Sequence, residues 1–239
     1  MTDIAYRNHR HYISEGWSAE PKEMFKRLAE ILGKEWLSKS RDVLDVGCAT
    51  GELLGFLRRI VPGGRFVGVD VSEDLLEVGR RLLPEAEFVN ASALDLPDPL
   101  AGGFDLVTAF GCMSIFDEVE LETFWDQLLT AARPGGRVIV LSPLNEFGCD
   151  MVIRHRKRSD GKVGSWERGW NIFAIETVAD ILASRGITIS LQRFAISIDL
   201  APRPDPVRTW TIATRDRERQ LTNGLKLLID HYFIIATKP

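Results

Sequence analysis

The stretch "RDVLDVGCATGELLGFL", residues 41–57, decides how the chain folds. "DVLDV" is a short, nearly continuous apolar run of the kind that parallel sheets bury on both faces. After it, Gly47 and Gly51 let the backbone pass close to a ligand without a Cβ in the way. "ELLGFLRRI" then begins a helix whose first turn offers free N–H groups. In dinucleotide enzymes a strand, glycine turn and helix of this kind hold a pyrophosphate, with glycines spaced G-x-G-x-x-G. Here the small residues are Gly47, Ala49 and Gly51, with Cys48 between the first two, and Glu52 opens the helix. A carboxylate there suits a cationic or zwitterionic ligand better than a pyrophosphate. Asp45, at the strand end, adds negative charge that could receive an ammonium group, directly or through water.

The same alternation continues downstream. "RFVGVD" reads as a second strand and "SEDLLEVGRRLL", opened by Ser72, as a second helix. "AEFVN" is a third strand and "FDLVTAF" a fourth. "EVELETFWDQLLTAA" is a helix, and "RPGG" turns into "RVIVLS", the fifth strand. Upstream, Met24, Phe25, Leu28, Ile31 and Leu32 recur at helical spacing, with Ser18 as N-cap and Pro21 in the first turn. Strands alternating with helices of ten or more residues predict an α/β fold with a parallel sheet covered on both faces. After Ser142 the rhythm changes. Residues 143–172 are polar, contain Trp166 and Trp170, are punctuated by glycines and have no clear period. "AIETVADILASRG" predicts a helix ending at Gly186, and "ITISLQRFAISIDL" a long alternating strand. "TWTIATRDRERQLT" predicts a hairpin with a polar tip, "NGLKLLID" a short helix, and "HYFIIATK" the last strand. The chain reads as one domain, with a core of 40–142, 173–199 and 230–239, and elaborations at 143–172 and 200–229.

Asp70 closes the second strand about 20 residues beyond the glycine turn, where an acidic side chain suits a ribose diol. A strand-end aspartate also serves as a turn or helix cap.

Together these residues resemble the class I S-adenosylmethionine-dependent methyltransferases, over roughly residues 40–142. "VLDVGCATG" looks like the family's glycine-rich first motif and "VGVDVS" like its ribose-binding strand end. "FVNASALDLP" is similar to the adenine-side loop, "FDLVTAFGCMSIF" to the fourth strand facing the transferable methyl, and "LLTAARPGGRVIVLS" to the helix, turn and fifth strand that follow. The resemblance implies a Rossmann-like, doubly wound, mostly parallel sheet of seven strands whose last strand runs antiparallel. A hairpin and loop elaboration would cover the substrate side. Ordinary dinucleotide dehydrogenases lack that last strand. The implied cofactor is S-adenosylmethionine, with S-adenosylhomocysteine as product. Asp45 and the turn residues Gly47, Cys48, Ala49 and Gly51 would meet it. Asp70 would hold the ribose hydroxyls, Val71 would pack on the adenine, and Ser92 and Ala93 would contact the base edge. Phe110 and Gly111 would lie along the methionine arm. Two departures stand out. Ala49 replaces the middle glycine, at little cost where its φ is negative, and Ser92 stands where relatives often carry Asp.

Composition sets bounds on partners. The chain has 239 residues and a net charge of −4, which argues against a phosphate backbone as partner. Cys48, Cys112 and Cys149 form no CxxC pair, so no zinc site and no disulfide framework are expected. No apolar run approaches the roughly 18 residues of a membrane span, and "MTDIAYRNHRHY" has no signal-peptide core. A cytoplasmic protein without membrane partners is the expectation.

For a methyl acceptor, candidates lie beyond the carboxyl ends of the strands. Tyr12 and Trp17 sit in an arm that folds over the cofactor in relatives, or they staple the arm to the core. Cys112, Met113, Ile115 and Phe116 offer an apolar wall or helix packing. In "IRHRKR", Arg154 or Arg156 could hold an anionic acceptor and His155 could act as a base; a solvated charged face is the alternative. Trp166, Trp170 and Asn171 follow, with Trp170 either lining the pocket or anchoring the loop. The leading expectation is methyl transfer to a small molecule by in-line displacement. RNA or protein methylation, a non-catalytic cofactor-binding module and an NAD-dependent oxidoreductase are the alternatives.

Overall fold

The computed structural model describes residues 12, 13, 17, 19–159, 161–202, 207–215 and 219–239. Its centre is a sheet of seven strands: β1 (Val43–Val46), β2 (Phe66–Asp70), β3 (Glu87–Asn90), β4 (Phe104–Phe110), β5 (Ala132–Asn145), β6 (Ile189–Phe194) and β7 (His231–Thr237). Their spatial order is β6-β7-β5-β4-β1-β2-β3. β1 through β5 pair in parallel, and β7 is antiparallel to both β5 and β6. An eighth short strand, Phe173–Ala174, pairs with the end of β5. The mostly parallel sheet with its antiparallel last strand is thus as expected, and the order reverses beside β1, where crevices form.

Alternation along each strand assigns the two faces. Val43, Leu106, Ile139 and Phe233 pack with Phe25 and Leu28 of α1 (Glu23–Leu32), Leu54 and Leu57 of α2 (Glu52–Ile60), and Leu76 of α3 (Glu73–Leu82). Val46, Val69, Val107 and Val140 pack instead on Trp125 and Leu128 of α4 (Glu120–Ala131) and Val178 and Leu182 of α5 (Ile175–Ala183). Strands buried on both faces are apolar at nearly every position; β1 is buried throughout, and its one polar residue, Asp45, is hydrogen-bonded to Thr108 of β4.

Four local readings change. α1 is capped by Lys22, so Pro21 precedes the helix, and Ser18 lies outside the described residues. "RPGG" does not separate a helix from a strand. It lies within β5 as an irregularity, where Gly135 takes φ 74 and the β4 register shifts. A Cβ on Gly136 would lie 2.8 Å from the carbonyl oxygens of Arg133 and Phe104. β6 is shorter than the expected long strand. "NGLKLLID" is not a helix: Leu228–Ile229 pairs with Leu221 and Thr222 and extends the hairpin Thr209–Ala213/Arg219–Asn223 into a three-stranded sheet. Residues 216–218 of the hairpin tip lie outside the described residues.

Candidate functional site

A cleft opens beyond the carboxyl ends of β1, β2 and β4. The chain turns there on left-handed backbone at Gly47 (φ 74), Ala49 (φ 50) and Gly51 (φ 79). The Gly47 and Cys48 N–H groups both donate to the Val69 carbonyl, at 2.8 and 3.0 Å, pinning the turn to β2. Gly51 caps α2. A Cβ on Gly51 would meet the Phe88 ring at 2.7 Å, and one on Gly47 would meet Cys112 Cβ at 3.1 Å. Ala49 therefore occupies a conformation that favours glycine, and the benign negative φ is not what the turn adopts.

Asp70 organises the cleft. Its Oδ2 accepts from the Ala49 N–H and its Oδ1 from the Ser72 N–H, both at 2.9 Å. One carboxylate thus ties the glycine turn to the loop that starts α3. Each carboxylate oxygen can accept a second bond, so the capping role is compatible with a ligand hydroxyl. Capping and ligand binding, which stood as alternatives in the sequence, are compatible at this residue.

The negative charge around the turn is distributed differently from the sequence reading. Glu52 forms an ion pair with Lys22. Asp45 does not line the cleft; it is buried and accepts from Thr108 Oγ1 at 2.7 Å. Desolvation pushes its pKa up to about 7 against the Thr108 bond, and the charge of Asp70 adds to the rise. Burial, helped by Asp45 and Asp70, likewise raises the Cys48 and Cys112 thiols, so neither supplies a thiolate nucleophile near neutral pH.

Of the remaining expected cofactor contacts, Gly47, Ala49, Val71, Ser92, Ala93, Phe110 and Gly111 line the cleft with Asp70, while Cys48 and Gly51 support it from behind. Val71 is 59% exposed at the rim. Ser92 Oγ accepts from the Leu94 N–H at 3.1 Å and shapes its own loop. Val69, Ser72, Leu75 and Ala91 also line the cleft. They flank Asp70, Val71 and Ser92 in sequence or follow one helical turn on, so the strand–turn–helix pattern held the signal that finds them.

Tyr12 lies on the cleft, and the Arg208 guanidinium lies 5.3 Å from its ring centroid. Trp17 goes elsewhere: its Nε1 donates to Thr50 Oγ1 at 3.1 Å, and its ring lies where a Cβ on Gly55 would be. Ile115, Phe116 and Cys112 form the apolar wall. Met113 does not join them, being fully buried in the core beneath α4.

The six other acceptor-side candidates, Arg154, His155, Arg156, Trp166, Trp170 and Asn171, also lie off the cleft. Asn171 is fully buried, and its polar atoms are used internally. Nδ2 donates to the Phe116 carbonyl at 2.7 Å, Oδ1 accepts from the Ile153 N–H at 2.8 Å, and its own N–H donates to the Ser114 carbonyl at 2.8 Å. Trp170 takes φ 65 beside it. Arg154 and His155 belong to a two-stranded ribbon, Arg154–His155 against Glu167–Arg168, where His155 faces Glu167 at 3.8 Å. Arg168 pairs with Asp117 and Glu120. Asn171 and Arg168 therefore clasp the 151–172 segment to the loop after β4, whose Ile115 and Phe116 line the cleft. Among the described residues no group of three His, Cys, Asp or Glu is placed to hold a metal, and no helix is long and apolar enough to cross a membrane.

Residues 43–136 match the family described as a methyltransferase domain. A demethylmenaquinone methyltransferase from Thermus thermophilus is 36% identical over 115 residues, covering 44% of this chain and 50% of the relative. A trans-aconitate 2-methyltransferase from Delftia acidovorans is 31% identical over 124 residues, 52% and 46% of the two chains. The chain thus spans about half the length of the curated relatives it matches. Among solved structures, magnesium protoporphyrin IX methyltransferase from Synechocystis with bound SAM superposes with a TM-score of 0.54 at 15% identity, covering 91% of this chain and 79% of that one. At that identity the likeness is one of fold.

Proposed function

We propose that this chain is a class I Rossmann-like methyltransferase, as its match to a methyltransferase domain over residues 43–136 supports, and that it transfers a methyl group from S-adenosylmethionine to a small-molecule acceptor. The observation that carries the proposal is the placement of Asp70: an acidic side chain at the end of β2, facing a cleft beside the glycine turn, oriented by N–H groups from both sides. The cleft's chemistry fits the cofactor. A carboxylate suits the ribose diol, exposed Val71 suits the flat face of a base, and Gly111 leaves open space where a side chain would project.

When bound, the cofactor supplies an activated methyl on a sulfonium. The chain's own work is to bind, orient and exclude water. Asp70 holds the ribose, Val71 and Leu75 flank the base, and Ser92 and Ala93 meet its edge. Phe110 and Gly111 border the thin methionine arm. Ile115, Phe116 and Tyr12 form an apolar enclosure next to it, which keeps water from the reacting centre. Placing the acceptor in line with the methyl can contribute about 7–11 kcal/mol in favourable cases. A general base is needed only where the acceptor carries a proton that must leave early. The small-molecule reading is supported by the acceptors named for relatives, demethylmenaquinone and trans-aconitate, and by the chain's net negative charge.

The test is incubation with methyl-labelled S-adenosylmethionine and fractionated metabolite and macromolecule extracts. Label in small metabolites is expected. Label confined to RNA or protein would replace the small-molecule reading, and none at all despite cofactor binding would reduce the chain to a binding module.

A further inference from the structure

The segment 151–172 is a ribbon whose two faces differ in chemistry. Exposure alternates strictly along its first strand: Val152, Arg154, Arg156 and Arg158 are exposed, while Met151, Ile153, His155 and Lys157 are turned partly inward. The returning strand completes the outer face. Val163 lies directly across from Arg158 in the Arg158–Ser159/Lys162–Val163 pairing, and Trp166 lies under the Arg156 guanidinium, 4.9 Å from ring centroid to carbon. Val152 is 47% exposed, Val163 51% and Trp166 50%. The acid of the described ribbon, Glu167, lies across from inward-turned His155, 3.8 Å from its Nε2, and so on the other face; Asp160 lies outside the described residues. Three arginines at every second position thus share one face with two valines and a tryptophan, and Arg168, across from Arg154, closes one end of it through its ion pairs with Asp117 and Glu120.

A protein of net charge −4 has no general reason to build such a face. Its composition selects among anionic partners. Phosphates alone would explain the arginines and leave Val152 and Val163 without a role. A nucleic acid could stack on Trp166, but one ring face is already next to Arg156. A bilayer interface uses every member: arginines pair with anionic headgroups while their stems lie along apolar surface, tryptophan sits at headgroup level, and the valines reach the acyl boundary. The Asn171 and Arg168 clasp holds this ribbon rigidly to the loop that carries Ile115 and Phe116.

We propose that the outer face of the 151–172 ribbon docks the protein peripherally on an anionic lipid surface. This goes against the sequence-based expectation of no membrane partner, which considered spanning segments, and it stands independently of the methyltransferase reading. If that reading also holds, the docked ribbon brings the cleft wall close to the bilayer, where an acceptor dissolved in lipid would be collected.

The test is co-sedimentation of the full chain with vesicles of phosphatidylcholine alone or mixed with phosphatidylglycerol, at low and high salt. The expected result is binding to the mixed vesicles that weakens with salt. The combined Arg154→Gln, Arg156→Gln and Arg158→Gln variant should bind about 100-fold more weakly, at roughly a few-fold per arginine near the surface. Trp166→Ala should also bind less. Arg59→Gln with Arg81→Gln, exposed on α2 and α3, should bind as the wild type. Thermal melts show whether each variant is folded. Equal affinity for both vesicle types, or full binding by the folded triple variant, overturns the proposal. So does a wild type that ignores vesicles but binds a single-stranded RNA oligonucleotide through the same arginines.

Discussion

The Ala49 N–H donates to Asp70 Oδ2 at 2.9 Å, joining the glycine turn after β1 to the carboxylate that ends β2. With the Ser72 N–H on the other oxygen, this bond makes Asp70 part of the scaffold as well as of the cleft. Asp70→Asn keeps the shape and replaces one acceptor by an N–H₂ that faces a backbone N–H. Its stability should fall by about 1–3 kcal/mol, the cost of leaving a donor unsatisfied, and its affinity for S-adenosylhomocysteine by at least about tenfold. Chemical denaturation and calorimetry measure the two separately. Loss of stability with unchanged affinity would leave Asp70 as a cap alone.

Ala49 itself sits at φ 50. Relieving a left-handed alanine gains about 1–2 kcal/mol, offset by the roughly 0.4–1 kcal/mol that glycine costs through the unfolded chain. Ala49→Gly should therefore melt no lower than the wild type, and by this balance slightly higher. A clearly lower Tm would contradict the conformation of the turn.

Two buried groups give opposing pH slopes. Asp45 is raised to about 7, so between about pH 4 and 7 the native state holds a proton the unfolded chain has lost, and stability falls as pH rises. Burial lowers His231 to about 4. Between about pH 4 and 6.5 the native state therefore lacks a proton that the unfolded chain binds, and stability is lost as pH falls. Each slope is at most about 1.4 kcal/mol per pH unit, and in the wild type they oppose one another. Relative to wild type, Asp45→Asn should make stability rise more steeply from pH 4 to 6.5, and His231→Gln should make it fall more steeply with rising pH. Urea unfolding at half-unit intervals reads both changes.

Asn171 holds the ribbon to the cleft wall through Phe116 and Ile153. Asn171→Ala should cost about 2–4 kcal/mol, since it leaves one buried and one partly buried backbone group without partners. It should also speed amide exchange at Met151 and Ile172, whose backbone groups bond each other. Unchanged exchange there would mean that the ion pairs of Arg168 suffice as the clasp.

The parts legible in the sequence are those where burial on both sides forces an apolar run. β1, β2, β4 and β5 could be found that way, and Asp70 stood out because it ends such a run at a fixed distance from the glycine turn. The turn's glycines were legible too, because close approach leaves them no substitute. Asn171 was picked out as an acceptor contact, but its role as a clasp was not legible, because a buried amide clasp has no periodicity and its partners lie 18 and 55 residues away. The ribbon was hidden because both of its faces carry cations, so hydropathy does not alternate although exposure does. "NGLKLLID" was read as helical from its leucine spacing, although Asn-Gly is itself a hairpin turn signal. The charge around the turn was misjudged because sequence does not show that Lys22 reaches Glu52 or that Thr108 covers Asp45.

The central claim is that the cleft beside Asp70 takes an adenosyl amino acid and not a dinucleotide. Titration calorimetry of the full chain with S-adenosylhomocysteine and, separately, with NAD tests it most directly. The account predicts saturable one-to-one binding of S-adenosylhomocysteine, weakened in Asp70→Asn, and no heat with NAD. NAD binding without S-adenosylhomocysteine binding would contradict it.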